Sequence, residues 1–290
     1  MSDLIEHFHN RFDVLIGQGD ALKDEAYRLR YQVYCVERGH GAEVAAANLR
    51  ERDTFDDHAT HVVVKDRSCG TNKATARLIT AGETREGRFP IEHDYPDLLA
   101  QHGITEDLLP RHRTAEISRF AISKELRERR PGTSLPPNSS ALDTREQTLP
   151  QGALHRRPLV TFGLLLGLIR LGASHDITHC MAVMKPSLLR MLSRFGVHFK
   201  PIGKPVEYHG LRQPCYTSVA DLLAGIYNVS PELWQLLAYD EVALAQAKQL
   251  IAHPMPIPVQ DKPSHRRRRD LPRRYAMPEA QQAAESRRFG

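Results

Sequence analysis

Hydrophobic and polar positions along this chain change their period several times, and each change marks an element. Residues 11–19 (Arg-Phe-Asp-Val-Leu-Ile-Gly-Gln-Gly) are a short apolar run closed by glycines, which predicts an opening strand. From Asp20 to about Arg38, Leu22, Ala26, Leu29 and Val33 recur at three and four. That is helical spacing, with Asp20 as its N-cap and Tyr27, Tyr31 and Tyr34 flanking the face. Residues 39–52 have no pattern and read as an irregular loop. Val62-Val-Val-Lys65 is a strand, Gly70 a turn, and Ala74–Thr80 its antiparallel partner. After a stretch with a helix around Tyr95 to His102 comes Thr114-Ala-Glu-Ile-Ser-Arg-Phe-Ala-Ile122. Its β-branched and aromatic residues predict a strand near the middle of a sheet.

The second half begins with a change of character. Residues 127–157 are rich in Pro, Gly, Ser and Asn and read as a flexible insertion. Pro158 then opens an apolar helix through Leu171, followed by a buried strand over 177–184 and a helix from Leu188 to Phe195 stopped by Gly196. Val197–Phe199 and Lys204–His209 suggest short strands, and helices follow over Val219–Tyr227 and from Pro231 to about Ile251. An antiparallel meander followed by β–α–β–α–β alternation implies one α/β domain, residues 1–252, with a mixed sheet. Residues 253–290, Pro-rich then Arg-rich, form a tail expected to be disordered.

Composition changes this picture little. At 41% hydrophobic and 26% charged, the chain is an ordinary soluble globular protein with ample length for a core. The first residues are polar and acidic rather than a secretory signal. Cys35, Cys69, Cys180 and Cys215 lack Cys-x-x-Cys spacing and read as reduced thiols, which points to the cytoplasm. The net charge of +5 belongs to the tail: residues 251–290 hold nine Lys+Arg against four Asp+Glu, leaving 31 of each sign in residues 1–250. The tail's His265-Arg-Arg-Arg-Arg-Asp run suits weak contact with anionic membranes. No stacking or recognition-helix motif points to specific nucleic-acid binding.

Charge where the pattern expects none is more informative. Arg30 sits in the first helix, Asp53 and Asp56 precede a strand, Arg77 lies within a strand, and Glu116 and Arg119 within the next. Each alone has a plain structural explanation, such as a turn, a solvated face or a rim ion pair. Together, on successive elements of one sheet, they suit a zwitterionic or amine-bearing molecule. On an ideal strand Glu116 and Arg119 point to opposite faces, and a bulge between them would bring both to one.

These segments resemble a known family. Leu29-Arg-Tyr-Gln-Val-Tyr34, Asp53-x-x-Asp56, Thr75-Ala-Arg-Leu78 and Glu116-x-Ser-Arg-Phe120 follow the order and spacing of the acyl-homoserine-lactone (autoinducer) synthases. The resemblance is closer to the PEP-CTERM/exosortase system-associated acyltransferases, which are N-acyl amino acid synthase-like. It runs through Leu29–Glu37, Ile117–Ser123 and Pro201–Cys215, covering roughly residues 12–224. It implies a GNAT-like fold: a single α/β domain with a mixed, mostly antiparallel central sheet flanked by helices. It also implies substrate-binding roles for Arg30, Tyr34, Asp53, Asp56, Arg77 and Phe120, and catalytic roles for Glu116 and Arg119. The lactone synthases usually carry a Trp after the first helix and another before the Glu. Here His40 and Ala115 stand in those regions, which argues against an S-adenosylmethionine acceptor.

The chemistry implied is aminolysis of a fatty acyl thioester, with Glu116 accepting the amine proton and Arg119 orienting it or clamping an acceptor carboxylate. Leu164, Leu165, Leu168 and Met181–Met184 are candidates to line the acyl slot, although core packing is the plainer role for that helix. Arg129-Arg-Pro-Gly-Thr-Ser134 is a poor pyrophosphate loop, which favours acyl carrier protein over CoA as the bearer of the acyl-phosphopantetheine co-substrate. No permanently bound cofactor or metal is expected. The competing readings are a short-chain acetyl-CoA-dependent N-acetyltransferase and a non-enzymatic binding protein working through the tail.

Overall fold

The computed structural model describes residues 3–39, 48–82, 87–124, 156–208 and 210–238. The insertion, the pyrophosphate-loop candidate, His40 and the tail lie outside the described residues, apart from residues 156 and 157.

Strands β1 (Phe12–Gly17), β2 (Thr60–Asp66), β3 (Thr71–Thr80) and β4 (Thr114–Ile122) form an antiparallel meander. Strand β5 (His179–Met184) runs parallel to β4, and β8 (Leu211–Ser218) pairs antiparallel with β5. The short β6 (Lys200–Pro201) and β7 (Val206–Glu207) both pair with β8. This is the mixed sheet the pattern implied, mostly antiparallel as the family resemblance implied. Two differences stand out. Val197–Phe199 is not in a strand, and β8, which the pattern did not announce, is a full one.

Side chains alternate between the two faces of the sheet, although β2 and β3 are buried on both. Val62, Val64, Ala74, Ala76, Leu78, Ala115, Ile117, Cys180 and Ala182 face one core. Over it lies α5 (Arg156–Ser174), two residues earlier at its start and three later at its end than its sequence indicated. This helix is apolar nearly all round because α6 (Pro186–Ser193), α7 (Val219–Val229) and α8 (Pro231–Ala238) add Leu192, Leu222, Ile226 and Leu236 to the same core. Packing against the sheet is closest at Gly167, where a Cβ would stand 2.9 Å from Val14 Cγ1 and nearer still to Val62 Cγ1. No described helix is long and apolar enough to cross a membrane.

The opposite face carries α2 (Asp20–Arg30), which winds on as a π-turn over Tyr31–Val36. The N-terminal helix α1 (Asp3–Arg11), absent from the sequence reading, buries Ile5 and Phe8 ahead of β1. Two short helices, α3 (Pro90–Asp94) and α4 (Leu98–Gln101), belong to the segment between β3 and β4. With Ile79, Met181, Tyr216 and Ile202, the segment's Phe89, Ile91 and Leu109 form a second apolar cluster.

Candidate active site

Asp53 and Asp56 are fixed first by their own backbone. Asp53 caps a 3₁₀ turn, Thr54–His58, accepting the Phe55 N–H at 2.9 Å, while Asp56 accepts the Asp53 N–H at 2.8 Å. The turn thereby points two carboxylates at the sheet. There Arg30, from the end of α2, forks onto Asp56 at 2.6 and 2.9 Å. Arg77, from β3, forks onto Asp53 at 2.6 and 2.8 Å, reaches Asp56 at 2.7 Å, and donates to Ser118 Oγ at 2.8 Å. Arg119, from β4, donates to Asp53 at 2.6 Å and to Glu51 at 3.0 Å, and Glu51 also accepts from Arg30.

The contacts close a ring: Arg30, Asp56, Arg77, Asp53, Arg119, Glu51 and back to Arg30. Charges alternate and sum to zero, which is what allows Arg30, Arg77 and Asp56 to be at most 1% exposed. Asp53, Glu51 and Arg119 are 19–25% exposed at their side chains and form the ring's open edge. Burial opposes ionisation of Asp56, but the Arg30 and Arg77 guanidiniums outweigh it and hold the carboxyl well below the usual range. Asp53 is lowered the same way, against its own burial, by Arg77 and Arg119. Beside the ring, His61 is fully buried edge-on to Tyr27, with neither ring nitrogen hydrogen-bonded among the described residues. Burial pushes its pKa down to about 4.

Glu116 stands apart from this ring. The three acids that answer the three arginines are Glu51, Asp53 and Asp56, so the set inferred from sequence is corrected at one member. Glu51 belongs to the patternless loop, where no apolar period existed for a charge to interrupt. Glu116 pairs with Ile79 across β3 and with Met181 across β5, among the second apolar cluster. Its hydrogen bond among the described residues is from the Ile91 N–H to Oε2, at 2.8 Å. Burial raises its pKa to about 8, opposed by the Ile91 N–H and the Arg77 charge.

Between these two features lies the bulge. On β3 two steps separate Arg77 from Thr75, while their β4 partners, Ser118 and Ala121, are three apart. The extra residue is accommodated at Arg119, whose φ of 52° lies in the left-handed region. The bulge brings Arg119 round to the face of Arg77 and Glu116, as anticipated. It turns to Glu51 and Asp53, however, and not to Glu116, so the orienting role drawn for it is corrected. The β4–β5 ladder also ends here, at Ile117 opposite Ala182, and the backbone from Ser118 to Ile122 continues without a β5 partner.

The other candidates divide. Tyr34 is half-buried on the π-turn, with Arg38 5.5 Å from its ring and Leu29, Val33 and Ala121 as neighbours. Phe120 packs against the main core. Leu164, Leu165 and Leu168 are core residues of α5, at most 5% exposed, in keeping with the plainer role given for that helix. Cys215 is a buried thiol donating to the Ala182 carbonyl at 3.3 Å, its pKa raised by burial.

Comparison with known proteins agrees with this architecture. Residues 29–135 match the family described as "Acetyltransferase (GNAT) domain". No curated protein matches the chain in sequence. Among solved structures, the AHL synthase LasI superposes with a TM-score of 0.51 at 20% identity, over 75% of this chain and 95% of that one. The CoA-dependent acyl-homoserine lactone synthase BjaI, solved with SAM and isopentyl-CoA, gives 0.50 at 14% identity, over 82% and 99%. FeeM, an N-acyl amino acid synthase from uncultured soil microbes, gives 0.49 at 15% identity, over 76% and 97%. The matched domain and the shared fold identify this chain as an acyltransferase built on the GNAT-like fold.

Proposed function

We propose that the protein is a cytoplasmic N-acyltransferase that moves a fatty acyl group from an acyl-phosphopantetheine thioester to the amine of an amino-acid-like acceptor. The observation that carries this reading is Glu116: a buried carboxyl of pKa about 8 beside the point where β4 and β5 part. In its ionised form, which gains population as pH approaches 8, a base of that pKa takes a proton from an amine and returns it to a leaving group. The acceptor nitrogen attacks the thioester carbon as Glu116 removes its proton. The C–N bond forms, the C–S bond breaks, and the thiol leaves with the proton. Backbone N–H groups of the bulged stretch after Ile117, which has no strand partner on its β5 side, are suitable donors to the oxyanion.

The ring's open edge, Arg119 with Asp53 and Glu51, offers both signs of charge to an acceptor carrying a carboxylate and an ammonium. Arg30, Arg77 and Asp56 support that edge from behind. Their substrate-binding roles are therefore indirect, while Tyr34 and Phe120 flank the same strand and helix ends. Acyl carrier protein is the favoured donor, in keeping with the resemblance to PEP-CTERM/exosortase-associated acyltransferases. The match to an acetyltransferase domain favours a second reading, a short-chain acetyl-CoA-dependent enzyme.

Turnover of long-chain acyl carrier protein against acetyl-CoA, with an amino acid as acceptor, separates the two. Saturable turnover with acetyl-CoA and none with the long-chain carrier would leave the second reading standing. In either case Glu116→Gln should lower the rate by about 10²–10⁴-fold with the fold intact. An unaltered rate in a folded variant would remove Glu116 from the reaction.

A further inference from the structure

Glu116 is held by a device that the reaction itself does not use. Its Oε2 accepts the Ile91 N–H, and Ile91 lies in the first turn of α3. That turn is stapled by Glu92, which accepts the Phe89 N–H at 2.8 Å. Glu92 is in turn gripped by both arms of Arg111, at 2.8 Å to Oε1 and 2.7 Å to Oε2. Arg111 also lies over the Phe89 ring, 5.1 Å from its centroid, and donates to the Gly87 carbonyl. Its backbone opens the 3₁₀ turn Arg111–Arg113 that leads directly into β4, the strand carrying Glu116. The path is therefore closed: Glu116, Ile91, Glu92, Arg111, and along the backbone to Glu116 again.

We propose that the Arg111–Glu92 pair positions the base, holding α3 so that the Ile91 amide fixes Glu116 Oε2 and leaves Oε1 to the substrate. The inference rests on the proposed role of Glu116. Arg111 and Glu92 are positioning residues and touch no reacting atom. A salt bridge that merely closed a loop would not need two forked bonds, a ring stack and a staple converging on the one turn that contacts the carboxyl. The charged groups bearing on Glu116 are Arg77 from β3 and Asp94 and Glu92 from α3. Any charge effect of the pair must be separated from its effect on geometry.

The test follows the Glu116 carboxyl by difference infrared spectroscopy during a pH titration of the full chain without substrate, with Glu116→Gln as the blank. Arg111→Met should raise the midpoint by about one unit, since a loosened Ile91 hydrogen bond and an uncovered Glu92 charge act in the same direction. In Arg111→Met combined with Glu92→Gln, both charges are gone and local neutrality is restored. A midpoint still raised supports positioning, and a midpoint back at the wild-type value overturns it. Should Arg111→Met fail to fold, Arg111→Lys keeps the charge and loses the fork. It should show a smaller rise, and no rise overturns the inference. The pH profile of kcat/KM is read separately. If it fails to follow the infrared midpoint, Glu116 is not the base, whatever the titration says of Arg111.

Discussion

Glu116 and His61 give the protein opposite responses to pH. The folded Glu116 keeps its proton up to about 8, whereas the unfolded chain releases it near 4.5. Its contribution to stability is therefore complete below about 4.5 and declines as pH rises toward 8. His61 runs the other way: the unfolded chain binds a proton below 6.5 and the folded residue only near 4, so stability falls as pH falls through that window. Between 4.5 and 6.5 the two slopes oppose each other. Thermal unfolding across pH should show Glu116→Gln removing the decline toward pH 8 and His61→Gln removing the loss toward pH 4. In the ring, Asp56→Asn leaves Arg30 and Arg77 short of a buried counter-charge. It should cost about 3–5 kcal/mol by denaturant titration, well above the cost of an exposed ion pair. The three arginines are legible in the sequence because they lie within apolar-patterned elements, and Asp53 and Asp56 because they stand three apart just before a strand. Glu51 is not, and neither is the burial that sets the pKa of Glu116, since burial is decided by segments far along the chain.

The elements whose sequences agree with one period are readable in advance. The β-branched and apolar runs of β2, β3 and β4 mark them as strands, and the short turn between β2 and β3 sets the antiparallel order of that pair. Strand β8 is hidden, because Leu211-Arg-Gln-Pro-Cys includes two polar side chains and a proline that lacks a backbone N–H. It forms because β5 supplies an antiparallel edge over the full length from His179 to Met184. Helix α5 is readable as apolar, but its glycines are not readable as contacts. Gly167→Ala would drive a methyl into Val62 and Val14 and should destabilise by about 1–3 kcal/mol. Gly172→Ala, whose Cβ would meet nothing nearer than Ile177 at 3.7 Å, should instead be neutral or stabilise by up to about 1 kcal/mol. Denaturation midpoints of the two variants should move in opposite directions or by clearly different amounts.

At the scale of the whole molecule, the net charge and the fold separate along the chain. Deleting residues 255–290 removes the net charge of +5 and none of the elements described. Turnover on soluble substrates should survive, while any binding to anionic vesicles weakens and loses its dependence on salt. Lost turnover would mean that the tail serves the folded body. The two layers that enclose the sheet are less separable, because they meet in the bulge. Before it, odd-numbered residues of β4 (Ala115, Ile117) face the main core; after it, the even-numbered Phe120 and Ile122 do, and Ala121 joins Leu29 and Val33 on the other side. Arg119 thus shifts the reading frame of its strand. Removing the residue outright would leave Ile117, Ser118, Phe120, Ala121 and Ile122 alternating as an unbulged strand with Ala121 still opposite Thr75, whereas Arg119→Gly keeps the bulge, accepts the left-handed φ, and discards only the guanidinium. The comparison divides what Arg119 does as a side chain from what it does as a place in the count: the rest of β4 keeps its facing either way, and only the bulge is lost or kept.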